Sequence, residues 1–133
     1  MPSEPSELRA IAETALGALN TGDLDGFLGV VADDVEFTSM ILEVEGQTFR
    51  GPDGVRDWWH AVGNSFEGVK WEVLELAESG GRGVAKLRAT ATLGGGQVVD
   101  QLVWQAATYR DGKLTWWAFF RSDEEARAAV ALR

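Results

Sequence analysis

Few side chains in this 133-residue chain combine a reactive type with a placement that suggests chemistry. Cysteine is absent, so thiol nucleophiles and disulfides are excluded, and a zinc ion would have only His60 and carboxylates to draw on. No metal site is expected. His60, the one histidine, suits a proton shuttle near neutral pH, yet its helical phase differs from that of Val55, Trp59 and Val62, which reads as a partly exposed side chain. Asp33 and Asp34 can be paired acids or, more simply, the polar exit of a helix. That leaves Asp100 and Arg121. Asp111-Gly112 is the strongest hairpin signal in the sequence, because a two-residue type I′ turn needs positive φ at both positions. Counting outward from it pairs Arg110 with Lys113, Thr108 with Thr115, Ala106 with Trp117, Trp104 with Phe119, and Leu102 with Arg121. Asp100 then lies diagonally across the ladder from Arg121, either as a general acid or base beside a guanidinium or as an ordinary cross-strand ion pair.

These residues need elements to hold them. Leu8, Ile11, Ala12, Ala15, Leu16 and Leu19 recur at helical spacing from Ser6 to Leu19, with Asn20-Thr21-Gly22 as the stop. Asp23 can cap a shorter second helix carrying Leu24, Phe27, Leu28 and Val31, ending near Asp33-Asp34. Val35 to Leu42 reads as a strand and 43–47 as a loop. Gly51-Pro52 opens a third helix, with an apolar stripe of Val55, Trp58, Trp59, Val62 and Phe66. Strands follow over Val69–Ala77, Val84–Leu93, Gln97–Tyr109 and Lys113–Arg121, and Ser122 with Glu125 forms a capping box for a last helix. Helices segregated over an antiparallel sheet define the α+β class.

Bulk composition bounds the partners. One domain over residues 1–133 is expected from the length. Six tryptophans and six phenylalanines are a heavy aromatic load, but a formal charge of −9 would repel a polyphosphate, so nucleic acid is not expected. No apolar run approaches the roughly 18 residues that span a bilayer, and the first ten residues are too polar for a secretory leader, which points to the cytoplasm and away from membranes.

Ala32-Asp33-Asp34-Val35-Glu36-Phe37 after a helical hairpin, Phe49-Arg50-Gly51-Pro52-Asp53-Gly54-Val55-Arg56 before an aromatic helix, and Tyr109-Arg110-Asp111-Gly112-Lys113-Leu114 with Trp117 in the last strand together resemble the nuclear transport factor 2-like superfamily, closest to its SnoaL-like branch. The resemblance covers nearly the whole chain and implies a cone, with a strongly curved antiparallel sheet wrapped round the N-terminal helices and a hollow at the wide end. Its members include polyketide cyclases, ketosteroid isomerases, limonene epoxide hydrolases, dehydratases and small binding proteins, commonly dimeric through the outer sheet face. Fold likeness does not choose among these.

The resemblance also turns the Trp117 and Phe119 face inward. Its catalytic positions are then poorly filled: the isomerase base falls near Thr38 or Ser39, its second acid near Trp104 or Gln105, the cyclase and hydrolase acid on Phe119, and the hydrolase arginine-aspartate pair near Lys86 and Arg88. None supplies the required carboxylate. On this register the pocket walls are Phe37, Trp59, Leu102, Trp104, Trp117 and Phe119, with Asp100, its pKa raised by partial desolvation, and Arg121 at the mouth. A bulge or shifted turn would instead bring Trp116 and Phe120 inward. Because both hairpin faces are apolar, the outer one is expected to pack in a homodimer. Three roles remain open: a cofactor-independent cyclase, isomerase or dehydratase using Asp100 and Arg121 on a small apolar substrate; a non-catalytic binder of a small apolar or aromatic molecule; and a scaffold acting through dimerisation alone.

Overall fold

A computed structural model describes residues 6–38, 48–63, 70–92 and 96–133. The strand end, loop and stripe residue expected within 39–47 and at Phe66 lie outside them, as do Val69 and Leu93. The first helix, α1 (Glu7–Thr21), begins where Ser6 accepts a hydrogen bond from the Arg9 amide and ends at Gly22, whose φ of 74° places it in the left-handed region. The second, α2 (Leu24–Leu28), is shorter than the spacing predicts. Val31 and Ala32 are buried at the start of β1 (Val31–Thr38), so Asp33 and Asp34 sit within a strand and not at a helix exit. Hydrogen bonding between the Leu114 amide and the Val30 carbonyl (2.8 Å) draws the chain into the sheet at that point.

After β2 (Thr48–Arg50) and α3 (Gly51–Gly63) come β3 (Lys70–Ser79), β4 (Arg82–Thr92), β5 (Val98–Arg110), β6 (Lys113–Phe120) and the closing helix α4 (Asp123–Ala131). The six strands form one curved sheet in the order β2-β1-β6-β5-β4-β3. β1 runs parallel to β6, and every other neighbouring pair is antiparallel. No helix among the described residues is long and apolar enough to cross a membrane.

The hairpin turn is where the sequence places it, with positive φ at Asp111 (53°) and Gly112 (77°). Its ladder differs from the simple count. Arg110 faces Lys113 and Tyr109 faces Leu114, but Thr108 faces Trp116, so Thr115 is one residue extra. Beyond it Ala107 faces Trp117, Gln105 faces Phe119 and Trp104 faces Phe120. The Thr108 and Thr115 hydroxyls hydrogen-bond at 2.7 Å beside the bulge. The cause is hydrophobic: Leu114 and Trp117 are both buried in the core beneath the helices, three positions apart, and strict alternation cannot put both on one face. The bulge leaves Trp117 and Phe119 inward and turns Leu102, Trp104 and Ala106 of β5 out of register with them.

The inner face, with Ala85, Leu87, Val103, Ala107 and Trp117, packs on α1 to α3. On the outer face Val84, Ala106, Trp116 and Ala118, with Trp104 and Phe120, pack on Ala126, Ala129 and Val130 of α4. The Arg133 guanidinium lies 4.1 Å from the centre of the Trp116 ring. The chain's own last helix therefore covers the apolar surface for which a second subunit was expected. Leu102 and Val98 remain exposed beyond it.

Two contacts tie α1 to the sheet's far edge. Asn20 accepts from the Trp71 amide (2.7 Å) and donates to the Trp71 carbonyl (3.1 Å). At the other end the Glu78 carboxylate accepts from the Ser6 hydroxyl, the Leu8 amide and the Tyr109 phenol. β3 also carries a register shift between Val73 and Glu75. Opposite Glu78, Gly83 leaves space for Leu8: a Cβ there would lie 2.2 Å from the Leu8 Cδ2 and 2.8 Å from the Ala77 carbonyl oxygen. Gly83→Ala should destabilise the fold by about 1–3 kcal/mol, as measured by chemical denaturation.

Burial works to raise the Glu78 pKa, but hydrogen bonds from Ser6, Tyr109 and Leu8 outweigh it and hold the carboxyl below its ordinary value. A depressed folded-state pKa contributes stability above the unfolded value, which is lost as the pH falls through the folded one. Glu78→Gln should cost about 1–2 kcal/mol at neutral pH and flatten the decline in stability below about pH 4, read from denaturation midpoints across pH. An unchanged acid limb in the variant would contradict this assignment.

Candidate functional site

Three adjacent strands stack their aromatic rings. Phe37 on β1 is in register with Phe49 on β2 and with Trp117 on β6. The rings follow: Phe37 lies parallel to Trp117 at 4.0 Å between centroids and to Phe49 at 5.1 Å. Phe27 from α2 meets Trp117 edge-on at 5.6 Å, and Trp58 from α3 meets Phe37 edge-on at 5.4 Å. Phe37 and Trp117 are fully buried. This part of the interior is filled.

Beside the stack a narrow cavity remains between α1 and the β5–β6 hairpin. Its walls are the buried face of α1 from Leu8 to Leu19, Phe27 and Trp58 from the other helices, and Gln105, Leu114, Trp117 and Phe119 from the sheet. Its volume of about 20 Å³ has room for about one water molecule. Leu19 and Phe119 are half-buried, and Phe119 stacks at 5.9 Å on Trp71. Among the described lining residues two side chains are polar, and both are neutral. The Trp58 Nε1–H is buried with no acceptor among the described residues, and Gln105 on β5 lies in an otherwise apolar wall. No carboxylate, imidazole or ammonium group is among the described lining residues.

Of the side chains expected to form this site, Trp117 and Phe119 line the cavity. Phe37 is buried and stacked on Trp117, outside the cavity lining. Trp59 is half-buried against Phe27 at 5.6 Å, and Trp58 takes the inward place, packed against Phe27, Phe37 and Trp117. Trp104 and Leu102 do not line it. The bulge puts both on the outer face, Trp104 against α4 and Leu102 at 42 % exposed.

Asp100 and Arg121 are not brought together. Asp100 is on the outer face and pairs with Arg88 through a two-pronged contact, Nε to Oδ1 at 2.9 Å and Nη2 to Oδ2 at 2.5 Å. Those hydrogen bonds hold its carboxyl below the usual range, the reverse of the rise expected from desolvation at a pocket mouth. Arg121 is exposed where β6 gives way to α4. His60 is exposed on α3, and Asp34 makes a 3.4 Å surface ion pair with Arg110. No group of three potential metal-ligating side chains occurs among the described residues.

Simple counting missed Trp58 and Gln105. Trp58 carried a signal, since the sequence stripe included it beside Trp59. Gln105 was visible only as a polar interruption between Trp104 and Ala106, whose facing depends on the bulge.

No curated protein matches the sequence. Among solved structures, TerC co-crystallised with polyporic acid superposes with a TM-score of 0.77 at 22 % identity, covering 96 % of this chain and 100 % of that one. A candidate polyketide cyclase from Sinorhizobium meliloti gives 0.70 at 17 % identity, with 87 % and 100 % covered. RV0760c from Mycobacterium tuberculosis in complex with estradiol-17beta-hemisuccinate gives 0.73 at 14 % identity, with 90 % and 97 % covered. At these identities the likeness establishes the fold. The curved sheet with helices on one side carries the cavity, and the sequence model of the SnoaL-like domain matches residues 12–125: the chain belongs to the SnoaL-like family.

Proposed function

We propose that this protein binds a small, largely apolar molecule in the cavity between α1 and the β5–β6 hairpin. The observation that carries the reading is the cavity wall, aromatic and aliphatic except for two neutral polar side chains. Sites of this kind gain affinity from apolar contact and orientation from a few polar groups. The structures of TerC with polyporic acid and of RV0760c with a steroid hemisuccinate lend support, since both hold ring-bearing molecules on this fold.

At about 20 Å³ the cavity is far smaller than the roughly 300 Å³ or more of a typical ligand site. Occupation therefore requires the half-buried Leu19 and Phe119 to swing outward, which breaks the Phe119–Trp71 stack. Binding should accordingly be slower than diffusion allows.

A second reading, a cofactor-independent cyclase, isomerase or dehydratase, draws support from the family and from the candidate cyclase among its structural relatives. It needs a group to move a proton, and the described cavity wall holds none with a suitable pKa. Binding is therefore preferred.

A thermal-shift screen against flat hydrophobic metabolites tests the proposal. A ligand present at about 100 times its Kd should raise stability by about 2.7 kcal/mol, a shift of several degrees. Phe119→Ala should weaken that ligand by about tenfold through lost ring contact, whereas Asp100→Asn should leave its affinity unchanged. Absence of any shift across the screen would overturn the proposal, and loss of turnover in Asp100→Asn with affinity intact would restore the enzyme reading.

A further inference from the structure

The two ends of α1 are fastened to the sheet by different chemistry. Near the C-terminal end Asn20 exchanges two hydrogen bonds with the backbone of Trp71, 2.7 and 3.1 Å long, and a carboxamide carries the same charge at any pH the fold survives. At the N-terminal end the polar contacts run through two carboxylates. Glu78 of β3 accepts from the Ser6 hydroxyl, the Leu8 amide and the Tyr109 phenol, and Glu7 accepts from the Gly112 amide of the hairpin turn at 2.7 Å. One end depends on ionised groups and the other does not.

Protonation changes what Glu78 can hold. An ionised carboxylate only accepts, whereas a carboxylic acid turns one oxygen into a donor, so a group filled by three donors loses at least one contact. The groups facing Glu78 do not offset the loss. They are Ser6, Glu7 and Arg9 from α1 and Tyr109 from β5, while the position opposite on β4 is Gly83, which has no side chain. Arg9 keeps its charge in acid, and its attraction to Glu78 disappears. Around Gly112 the turn carries Arg110, Asp111 and Lys113, of which Arg110 is paired with Asp34. Glu7 and Glu78 also set negative charge against the first turn of α1, where the helix dipole favours it. Acid removes both charges.

We propose that the N-terminal half of α1 is an acid-released latch: when Glu78 and Glu7 take up protons, residues 7–12 leave the sheet while Asn20 holds the other end and the remaining chain stays folded. Leu8, Ile11 and Ala12 belong to the cavity wall, so in acid the latch is a second way into the cavity, at the opposite end of α1 from Leu19. The direction follows from linkage. The Glu78 carboxyl is held below its ordinary value when the latch is closed, so closure is favoured at neutral pH and fades as the pH falls through that lower value. The latch stands on the contacts of α1 and does not depend on which molecule, if any, fills the cavity.

Amide hydrogen exchange of the full chain, corrected for the intrinsic pH dependence of exchange, tests this between about pH 6 and about pH 3.5. Relative to Leu19 and to Val103 in the sheet, Ile11 and Ala12 should lose protection by about tenfold or more, the equivalent of one hydrogen bond to a charged group. In Glu78→Gln the same two amides should already be weakly protected at the upper pH and change little on acidification. Glu7→Gln, at an exposed position, should remove part of the pH dependence, and it decides the matter should Glu78→Gln not fold. Asn20→Ala should lower the protection of Leu19 without adding any dependence on pH.

A constant ratio of Ile11 and Ala12 to Leu19 and Val103 across the range would overturn the latch. If the ratio is constant because all four exchange together through global unfolding, the stabilising role of Glu78 survives and only the local release fails. A loss of protection that keeps its full pH dependence in the glutamine variants would overturn the assignment to these carboxylates.

Discussion

Leu114 and Trp117 must both be buried on the helix side of β6, and they stand an odd number of positions apart. Most of the arrangement around the candidate site depends on that spacing. The extra residue, Thr115, reconciles it with the pleat of the sheet and in doing so sets which side chains of β5 face inward. Val103, Gln105, Ala107 and Tyr109 face the helices, and Leu102, Trp104 and Ala106 lie on the outer face, the last two against α4. Irregularity in the neighbouring strand matches it: β1 pairs Val31 with Leu114 and Glu36 with Trp116, spending five residues against two. Both distortions lie at one level of the sheet, below the stack of Phe49, Phe37 and Trp117.

The architecture was readable from local chemistry. Ser6, Gly22 and Ser122 mark helix ends, Gly51-Pro52 opens α3, and Asp111-Gly112 makes the turn, because each depends on a backbone preference of a few adjacent residues. The order of landmarks was enough to recognise the family. Facing was not readable in the same way. Whether Trp104 or Gln105 looks inward depends on a bulge that the turn itself does not require, and it is decided by tertiary burial of Leu114 and Trp117. The same limit applied on α3, where Val55 has an inward neighbour at either three or four residues' distance, and packing against Phe27 and Phe37 selects Trp58. A single such choice moved Asp100 from a supposed pocket mouth to an exposed ion pair with Arg88.

The distribution of charge bears on what the interior can do. Arg88–Asp100, Arg50–Glu36 and Arg127–Asp123 are all largely exposed pairs, which contribute little to stability individually. Glu78 differs, since it is partly buried and faces α1. Three donors occupy its oxygens and keep it ionised, while burial and the adjacent carboxylate raise the Tyr109 pKa and keep that phenol protonated. A carboxylate saturated in this way serves as a clasp for α1 and is poorly suited to exchanging protons with a substrate.

The Asn20–Trp71 contact has a consequence for how copies of this chain behave at high concentration. β3 is an outer strand of the sheet, with one row of backbone groups unpaired by any neighbour strand. At Trp71 the Asn20 carboxamide occupies the N–H and C=O that an incoming strand would use. A few residues on, the displaced Leu74 interrupts the regular pleat, and Lys70, Glu72 and Glu75 present charge along the exposed margin. Strand-by-strand polymerisation would have to strip away a helix-borne amide and then match an irregular, charged template. The outer strand of an aromatic-rich fold is thereby made a poor template for strand addition.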